Sequence, residues 1–219
     1  MSTRIARHIV IVVVVLVTLG GTGWLIWRAS TPVLNVQLPG VRTYDPPVPM
    51  PKFALSDTHG KPFTKAQLMD RWTFLFFGYT HCPDVCPTTL ATLAHTMKIL
   101  APAAQQRVQV VFVTVDPDRD LPAMVAEYVG HFDSRFQGIA GHSRSQLNEL
   151  TGPLNIAYEY EDNVNEAGQR IDGYQVHHMA SVMLIDPAGR LVADAAPPHS
   201  ADSLAQLIVA ARTTYGETP

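Results

Sequence analysis

The two cysteines of this chain, Cys82 and Cys86, lie in the stretch GYTHCPDVCPTTL, residues 78–90, with three residues between them. A pair at this spacing suits three kinds of chemistry: a structural disulfide, a reversible redox couple or a metal site. A structural disulfide would close a loop of only about five residues, which constrains the unfolded chain little. We therefore favour redox or metal chemistry at this pair.

The element that carries Cys86 is predicted from its neighbour. Pro87 is tolerated only in the first turn of a helix, so Cys86 is expected in that turn, while Cys82 follows a predicted buried strand. A helix N-terminus favours anions, so both thiols are expected to ionise more easily than free cysteine. Residues i and i+4 share a helix face, so both sulfurs could chelate one ion. The same spacing also permits a disulfide.

Continuous apolar runs predict the strands that must position these residues. The runs TFLFFG, residues 73–78, and VQVVFVTV, residues 108–115, are typical of buried central strands. The runs SVMLID, residues 181–186, and RLVA, residues 190–193, predict a hairpin. Two shorter strands are expected on either side of a turn at His59 and Gly60.

Apolar residues at helical spacing predict three helices. Their expected buried faces are Leu90, Leu93, Ala94, Met97 and Leu100 for the first, Leu121, Met124, Val125, Tyr128 and Val129 for the second, and Leu204, Leu207 and Ile208 for a third that Ser200 caps. The order strand–helix–strand–helix–hairpin–helix predicts an α/β sandwich of the thioredoxin type with a central mixed sheet.

The N-terminal segment predicts one transmembrane helix before this domain. Residues 9–27 carry no charge, and as a helix they would span about 28 Å, close to the hydrocarbon thickness of a bilayer. Arg4 and Arg7 favour a cytoplasmic N-terminus at residues 1–7 and an anchor at residues 8–28. A cleaved signal peptide is the alternative, which the length of the apolar run and the lack of a small-residue cleavage site disfavour.

The remaining boundaries follow from composition. Six prolines between residues 31 and 51 predict an extended tether at residues 29–50, followed by the folded domain at 51–213 and a tail at 214–219. The acidic segment 153–173 is expected to be a solvated loop or hairpin, with a docking surface as the alternative. The net charge of −3 offers no basic field for nucleic acid.

A third ligand is expected from the histidines, since two thiolates in an acidic domain favour a soft cation such as Cu(I). His81 is expected to point away from Cys82, because neighbours in an extended chain face opposite sides. His177 and His178 precede a strand whose entry faces the cysteines in thioredoxin-like folds, and the segment QVHHMASV lacks the proline of redox members. This favours a metal site. Solvated positions at turns or helix ends are expected for His59, His131, His142 and His199.

Three segments resemble motifs of the Sco/SenC family of membrane-anchored copper chaperones for cytochrome c oxidase, over the region from about Phe53 to Ala193. They are FGYTHCPDVCPTTL, VTVDPDRD at residues 113–120, and YQVHHMASVMLIDPAG. The family usually has Asp-His where this chain has His177-His178. Alignment on the following strand makes His178 the counterpart of the ligand and leaves open whether His177 or Met179 contributes.

The resemblance implies that Cys82, Cys86 and His178 hold one copper ion, as Cu(I) with Cu(II) as a second form. The cargo would go to the dinuclear copper centre of cytochrome c oxidase subunit II, on the periplasmic side of the inner (cytoplasmic) membrane. A thiol reductant protein and another copper donor would be further partners. The protein would then be a binding and transfer protein rather than an enzyme with turnover.

Two enzymatic alternatives remain at this stage. A thiol-disulfide oxidoreductase would use the two thiols of Cys82 and Cys86 to reduce the cysteines of the same copper centre, as the family resemblance implies for some relatives, and would itself be left with a Cys82–Cys86 disulfide. A peroxidase-like enzyme would need an activating arginine, and residues 78–90 contain none. Asp116 is expected near the site at a strand end, either with a direct role or in a buried ion pair with Arg119.

Overall fold

The computed structural model describes residues 33–164 and 170–216, together with scattered helical positions between residues 8 and 21. Met1–Val33 and Leu34–Pro219 are two separate units of the chain. Among the described residues, no helix is both long and apolar enough to cross a bilayer. The cytoplasmic segment at residues 1–7 and much of the anchor at residues 8–28 lie outside the described residues, so both stay predictions.

Ten strands are formed by the described residues. They are β1 (Val41–Pro49), β2 (Ala54–Ser56), β3 (Pro62–Thr64), β4 (Trp72–Gly78), β5 (Val108–Thr114), β6 (Gln137–Ile139), β7 (Tyr158–Val164), β8 (Arg170–His178), β9 (Val182–Ile185) and β10 (Arg190–Ala195). Six of them make the main sheet in the order β1-β10-β9-β4-β5-β6, while β2 pairs with β3 and β7 pairs with β8.

Five α-helices accompany these strands in the same part of the chain. They are α1 (Val85–Ile99), α2 (Pro102–Gln105), α3 (Pro122–Phe132), α4 (Arg144–Thr151) and α5 (Ala201–Thr214). Helix α1 packs against α5, and α3 packs against β6. Ser200 caps α5 by accepting a hydrogen bond from the backbone N–H of Ser203, as the sequence predicts.

The centre of the sheet follows from the two long apolar runs. Every residue of β4 and β5 is buried, and the two strands run parallel. Strand β9 pairs antiparallel with β4, and β10 antiparallel with β9. This is the predicted mixed α/β sheet of the thioredoxin type. Because β4 and β5 are parallel, their carboxyl ends, Gly78 and Thr114, meet at one edge.

The predicted tether at residues 29–50 is wrong in its second half. Strand β1 pairs antiparallel with β10 at the edge of the main sheet, with an irregularity between Thr43 and Val48. Prolines are tolerated there because an edge strand needs only one side of its backbone for pairing. Leu34, further towards the N-terminus, is also buried. Proline content alone therefore did not separate a tether from an edge strand.

Helix α3 differs in part from its sequence pattern, whereas the acidic segment folds as one of the expected structures. Leu121 and Met124 share the helical spacing of the buried Val125 and Val129 but are 59% and 38% exposed. Leu121 precedes the helix, which begins at Pro122. The acidic segment forms the hairpin of β7 and β8, one of the two structures expected for it. Its second strand ends at His178.

Candidate metal site

The cysteine loop leaves the carboxyl end of β4 and enters α1. A hydrogen bond from the N–H of Cys82 to the carbonyl of Tyr79, at 3.3 Å, closes a turn, and α1 begins at Val85. Cys86 is thus the second residue of α1, and Pro87 is accommodated in the first turn as predicted. Both cysteines are free thiols; Cys86 is fully buried and Cys82 is 9% exposed.

The end of β8 brings His178 to these thiols. Its Nε2 atom lies 3.3 Å from the Cys86 sulfur, although 92 residues separate the two in sequence. Among the described residues, Cys82, Cys86 and His178 form a group whose potential ligand atoms all lie within 4.8 Å of one another. The sequence predicts these same three residues, and the fold brings them together.

Neighbouring groups fix the ring of His178. Tyr79 and Phe76 contact it edge-on, with ring centroids 5.8 and 6.2 Å away. Its Nδ1 atom lies 3.3 Å from the carbonyl oxygen of Met179, which can only accept. When a metal binds Nε2, the proton of the neutral ring is expected on Nδ1, beside that carbonyl, which is the form of imidazole that binds metals.

His177 lies outside this group. Its side chain is 63% exposed, and its Nε2 atom is 2.5 Å from a carboxylate oxygen of Glu161 on the neighbouring strand. Successive residues of a strand face opposite sides, so a strand that directs His178 to the thiols directs His177 away from them. Met179 is half-buried, and its N–H donates to the carbonyl of Ala157 at 3.0 Å.

The two thiols share one proton unequally. A hydrogen bond from Cys86 lowers the pKa of Cys82, and the ring of His178 lowers it further against the effect of burial. The same hydrogen bond raises the pKa of Cys86, and burial raises it further. The expectation of two easily ionised thiols is therefore confirmed for Cys82 and wrong for Cys86. The free-energy cost of a second negative charge in this buried pair exceeds the stabilisation that the helix N-terminus gives to an anion.

Comparison with known proteins identifies the family. The sequence model of the SCO1/SenC family matches residues 42–212. The chain belongs to this family. It is 30% identical over 200 residues to the SCO2-like protein of Rickettsia typhi. That match covers 88% of this chain and 91% of the Rickettsia protein. It is 33% identical over 172 residues to the mitochondrial SCO2 homologue of Mus musculus, covering 77% of this chain and 64% of that protein.

A solved SCO1/SenC structure supports the same fold. The crystal structure of Arabidopsis thaliana ScoI with copper bound superposes with a TM-score of 0.66 at 30% identity. The match covers 75% of this chain and 98% of the Arabidopsis chain. The family resemblance and the thioredoxin-like fold predicted from the sequence are thereby confirmed.

An ion pair in the loop after β5 contacts the hairpin of β7 and β8 at Tyr174. The Nε of Arg119 donates to buried Asp116 at 2.5 Å, and the hydroxyl of Tyr174 donates to its other oxygen at 2.6 Å. The guanidinium of Arg119 also lies 3.7 Å over the ring of Tyr174 and donates to its carbonyl at 2.9 Å. The predicted pair of Asp116 with Arg119 is confirmed, and it braces the strand that ends at His178.

A second carboxylate of the VDPDRD motif is buried, although the sequence pattern did not predict it. Asp120 accepts three hydrogen bonds: from the N–H of Thr80 at 3.0 Å, from the hydroxyl of Thr80 at 2.6 Å and from the hydroxyl of Thr114 at 2.5 Å. It thus joins the ends of β4 and β5 and fixes the residue two positions before Cys82. The meeting of parallel strand ends was a signal that could have found it.

Two of the histidines expected to be solvated are not. His142 is 5% exposed, with Nε2 3.1 Å from the carbonyl of Thr114, and burial lowers its pKa. His199 is half-buried, with Nε2 3.1 Å from the carbonyl of Ala180, and burial again lowers its pKa. Neither belongs to the group formed by Cys82, Cys86 and His178.

Proposed function

We propose that this protein is a copper chaperone that binds one copper ion through Cys82, Cys86 and His178. The observation that carries the proposal is the close group of two sulfurs and one imidazole nitrogen, all within 4.8 Å. Thiolates and imidazole are the ligands that suit Cu(I), and three such donors give a trigonal site. The copper-bound Arabidopsis relative supports the same cargo.

The protonation of the site suits the uptake of a cation. The lowered pKa of Cys82 provides one thiolate before copper arrives. The raised pKa of Cys86 means that its proton must leave as copper binds. Copper thus replaces a proton between two sulfurs, and binding is expected to weaken as the pH falls. Cu(II) is proposed as a second oxidation state of the bound ion.

The proposed destination is the dinuclear copper centre of cytochrome c oxidase subunit II. We place the domain on the periplasmic side of the inner (cytoplasmic) membrane, tethered by a single helix at residues 8–28. The uncharged run at residues 9–27 supports this location. A thiol reductant protein is needed there, since an oxidised pair cannot bind Cu(I), and a second copper donor would load the site.

A thiol-disulfide oxidoreductase that reduces the cysteines of the same copper centre is the second candidate. The observation in its favour is the pair of free thiols of which one has a lowered pKa. A thiolate of this kind attacks disulfides readily. The residue that separates the two functions is His178, since copper binding needs the imidazole and disulfide reduction does not.

Anaerobic titration of the reduced full-length protein with Cu(I) tests the proposal. We expect one ion per chain. The His178→Ala variant should bind Cu(I) at least about tenfold more weakly, because it removes a ligand. The His177→Ala variant is the matched control, since His177 neighbours His178 but faces away, and its affinity should stay near that of the wild type.

The second measurement is reduction of an oxidised dithiol in a peptide from the subunit II copper centre. If both histidine variants bind copper like the wild type while the cysteine pair reduces the peptide, the oxidoreductase function replaces the chaperone function. If His177→Ala is the variant that loses copper, the ligand assignment is off by one residue.

A further inference from the structure

One histidine that neighbours the cysteine pair in sequence is outside the group of Cys82, Cys86 and His178. His81 immediately precedes Cys82, and its side chain is 48% exposed. It lies in the turn that the hydrogen bond from Cys82 to Tyr79 closes. The chain is therefore not extended at this point, and the expectation that His81 must face away from Cys82 loses its basis.

The hydrogen bonds of Thr80 determine which nitrogen of His81 carries the proton. The Thr80 hydroxyl has one hydrogen and lies 2.6 Å from a carboxylate oxygen of Asp120, which accepts it. The same hydroxyl oxygen lies 3.0 Å from Nδ1 of His81. With its hydrogen already used, the hydroxyl accepts there, so Nδ1 is the donor. In the neutral ring the lone pair is then on Nε2.

Asp120 makes this arrangement rigid. Its side chain has no exposed surface, and its second oxygen accepts hydrogen bonds from the N–H of Thr80 and the hydroxyl of Thr114. A carboxylate that fixes the tautomer of a histidine is the usual way in which proteins orient imidazole for a metal. Here the carboxylate acts through one intervening hydroxyl.

The thiols of the site are largely buried, whereas the side chain of His81 is half exposed. Cys86 has no exposed surface and Cys82 only 9%, so an incoming ion meets few accessible donor atoms. Soft cations pass between proteins by ligand exchange, and imidazole suits copper. We propose that His81 is a transient copper ligand on the route to Cys82, and that Thr80 and Asp120 are its positioning residues. This inference rests on the copper-transfer function proposed above.

The exchange involves no electron transfer, because copper remains Cu(I). A bond forms between Nε2 of His81 and the ion as one ligand of the donor leaves. The Cys82 thiolate adds next, as the remaining ligands of the donor leave. Cys86 then binds as its proton passes to solvent, and His178 binds as the bond from His81 breaks. Release to an acceptor follows the reverse order, and Cys86 takes back a proton.

Stopped-flow transfer of Cu(I) from its bicinchoninate complex to the reduced full-length protein tests this inference, with equilibrium affinity measured separately by competition. His81→Asn keeps a donor for the Thr80 oxygen and removes Nε2. We expect its transfer rate to fall about tenfold or more while its equilibrium affinity stays within about twofold of the wild type. The matched control is His95→Asn, on the exposed face of α1, which should change neither quantity.

Thr80 supplies the test of positioning. Thr80→Val removes the hydroxyl and should slow transfer, whereas Thr80→Ser restores the hydroxyl and should restore the rate. Nitrogen NMR should show the proton of His81 on Nδ1 in the wild type and a loss of that preference in Thr80→Val. These signatures separate positioning from a general loss of stability.

Three outcomes would overturn the inference. The first is a wild-type transfer rate in His81→Asn. The second is an equilibrium affinity in His81→Asn as low as that of His178→Ala, since His81 would then be a resident ligand. The third is a wild-type protein that binds no Cu(I), which would overturn the proposed function as well and is recognised from the equilibrium titration alone.

Discussion

The sulfur of Cys86 lies directly against the backbone of Gly78. A Cβ atom at Gly78 would be 2.8 Å from that sulfur and 2.8 Å from a ring carbon of Phe112, closer than packed atoms approach. Gly78 ends β4, so the missing side chain lets the first turn of α1 settle onto the edge of the sheet. The depth of Cys86, and with it the contact to His178, depends on this glycine.

We therefore expect Gly78→Ala to displace Cys86. Overpacking should lower the free energy of unfolding by about 1–3 kcal/mol, and Cu(I) affinity should fall because the sulfur moves from His178. Denaturant unfolding and Cu(I) competition measure the two effects. Gly130→Ala in α3 is the control: outside its own turn of helix no atom lies within 4 Å of the added carbon, and stability should rise by up to about 1 kcal/mol. Unchanged copper affinity in Gly78→Ala would contradict the argument.

The centre of the fold and the position of the cysteine pair were predictable because each rests on a local signal. The apolar runs of β4 and β5 have the length of buried strands, and Pro87 fixes the start of α1. The choice of His178 needed more, since the sequence alone offers two adjacent histidines. It came from the family resemblance, and in the structure it is the ring of His178 that lies 3.3 Å from the Cys86 sulfur.

The failures share one physical cause, which is tertiary contact that local patterns do not contain. The prolines before residue 50 suit a tether, and only the pairing partner β10 makes them an edge strand. The polar pattern near His142 suggests solvent, yet the fold buries the ring against Thr114. Asp120 was missed because its three hydrogen bonds join segments that meet only in the folded chain.

The unequal ionisation of the cysteines should appear in alkylation rates. Since the pKa of Cys82 is lowered, its thiolate persists as the pH falls from 8 to 6, and its reaction with iodoacetamide should stay nearly constant. A free cysteine would slow by about tenfold for each pH unit over that range, because its pKa is about 8.5. Mass spectrometry should find Cys82 modified first, since a raised pKa and burial protect Cys86.

The Cys86→Ala variant tests the cause of that effect. It removes the hydrogen bond that lowers the pKa of Cys82, so the alkylation rate should become strongly dependent on pH. If the rate at Cys82 remains flat with pH in Cys86→Ala, the hydrogen bond between the thiols is not the cause.

The bracing of the hairpin predicts an effect at a distance from the ligands. Tyr174→Phe removes one hydrogen bond to buried Asp116 and should cost about 1–3 kcal/mol, because a buried carboxylate loses a partner. Amide hydrogen exchange should rise in β8, and Cu(I) affinity should fall modestly because His178 ends that strand. Tyr158→Phe is the control on the paired strand, since its hydroxyl donates to the exposed Asn148 and not to a buried carboxylate. Equal exchange in both variants would show that the brace does not hold the hairpin.

The edge strand β1 predicts where the folded domain begins. A chain starting at Leu34 should keep β1, whereas one starting at Met50 loses it together with the buried side chain of Leu34. The shorter chain also leaves Asp194 without Arg42 and Tyr44, which bond its carboxylate at 2.8 and 2.6 Å. We expect it to be less stable by about 3 kcal/mol or more, measured by denaturant unfolding.

Asp194→Asn in the shorter chain should recover part of the loss, because the uncompensated charge is removed. Equal stability of the two chains would show that residues 34–49 do not stabilise the domain and act only as a tether.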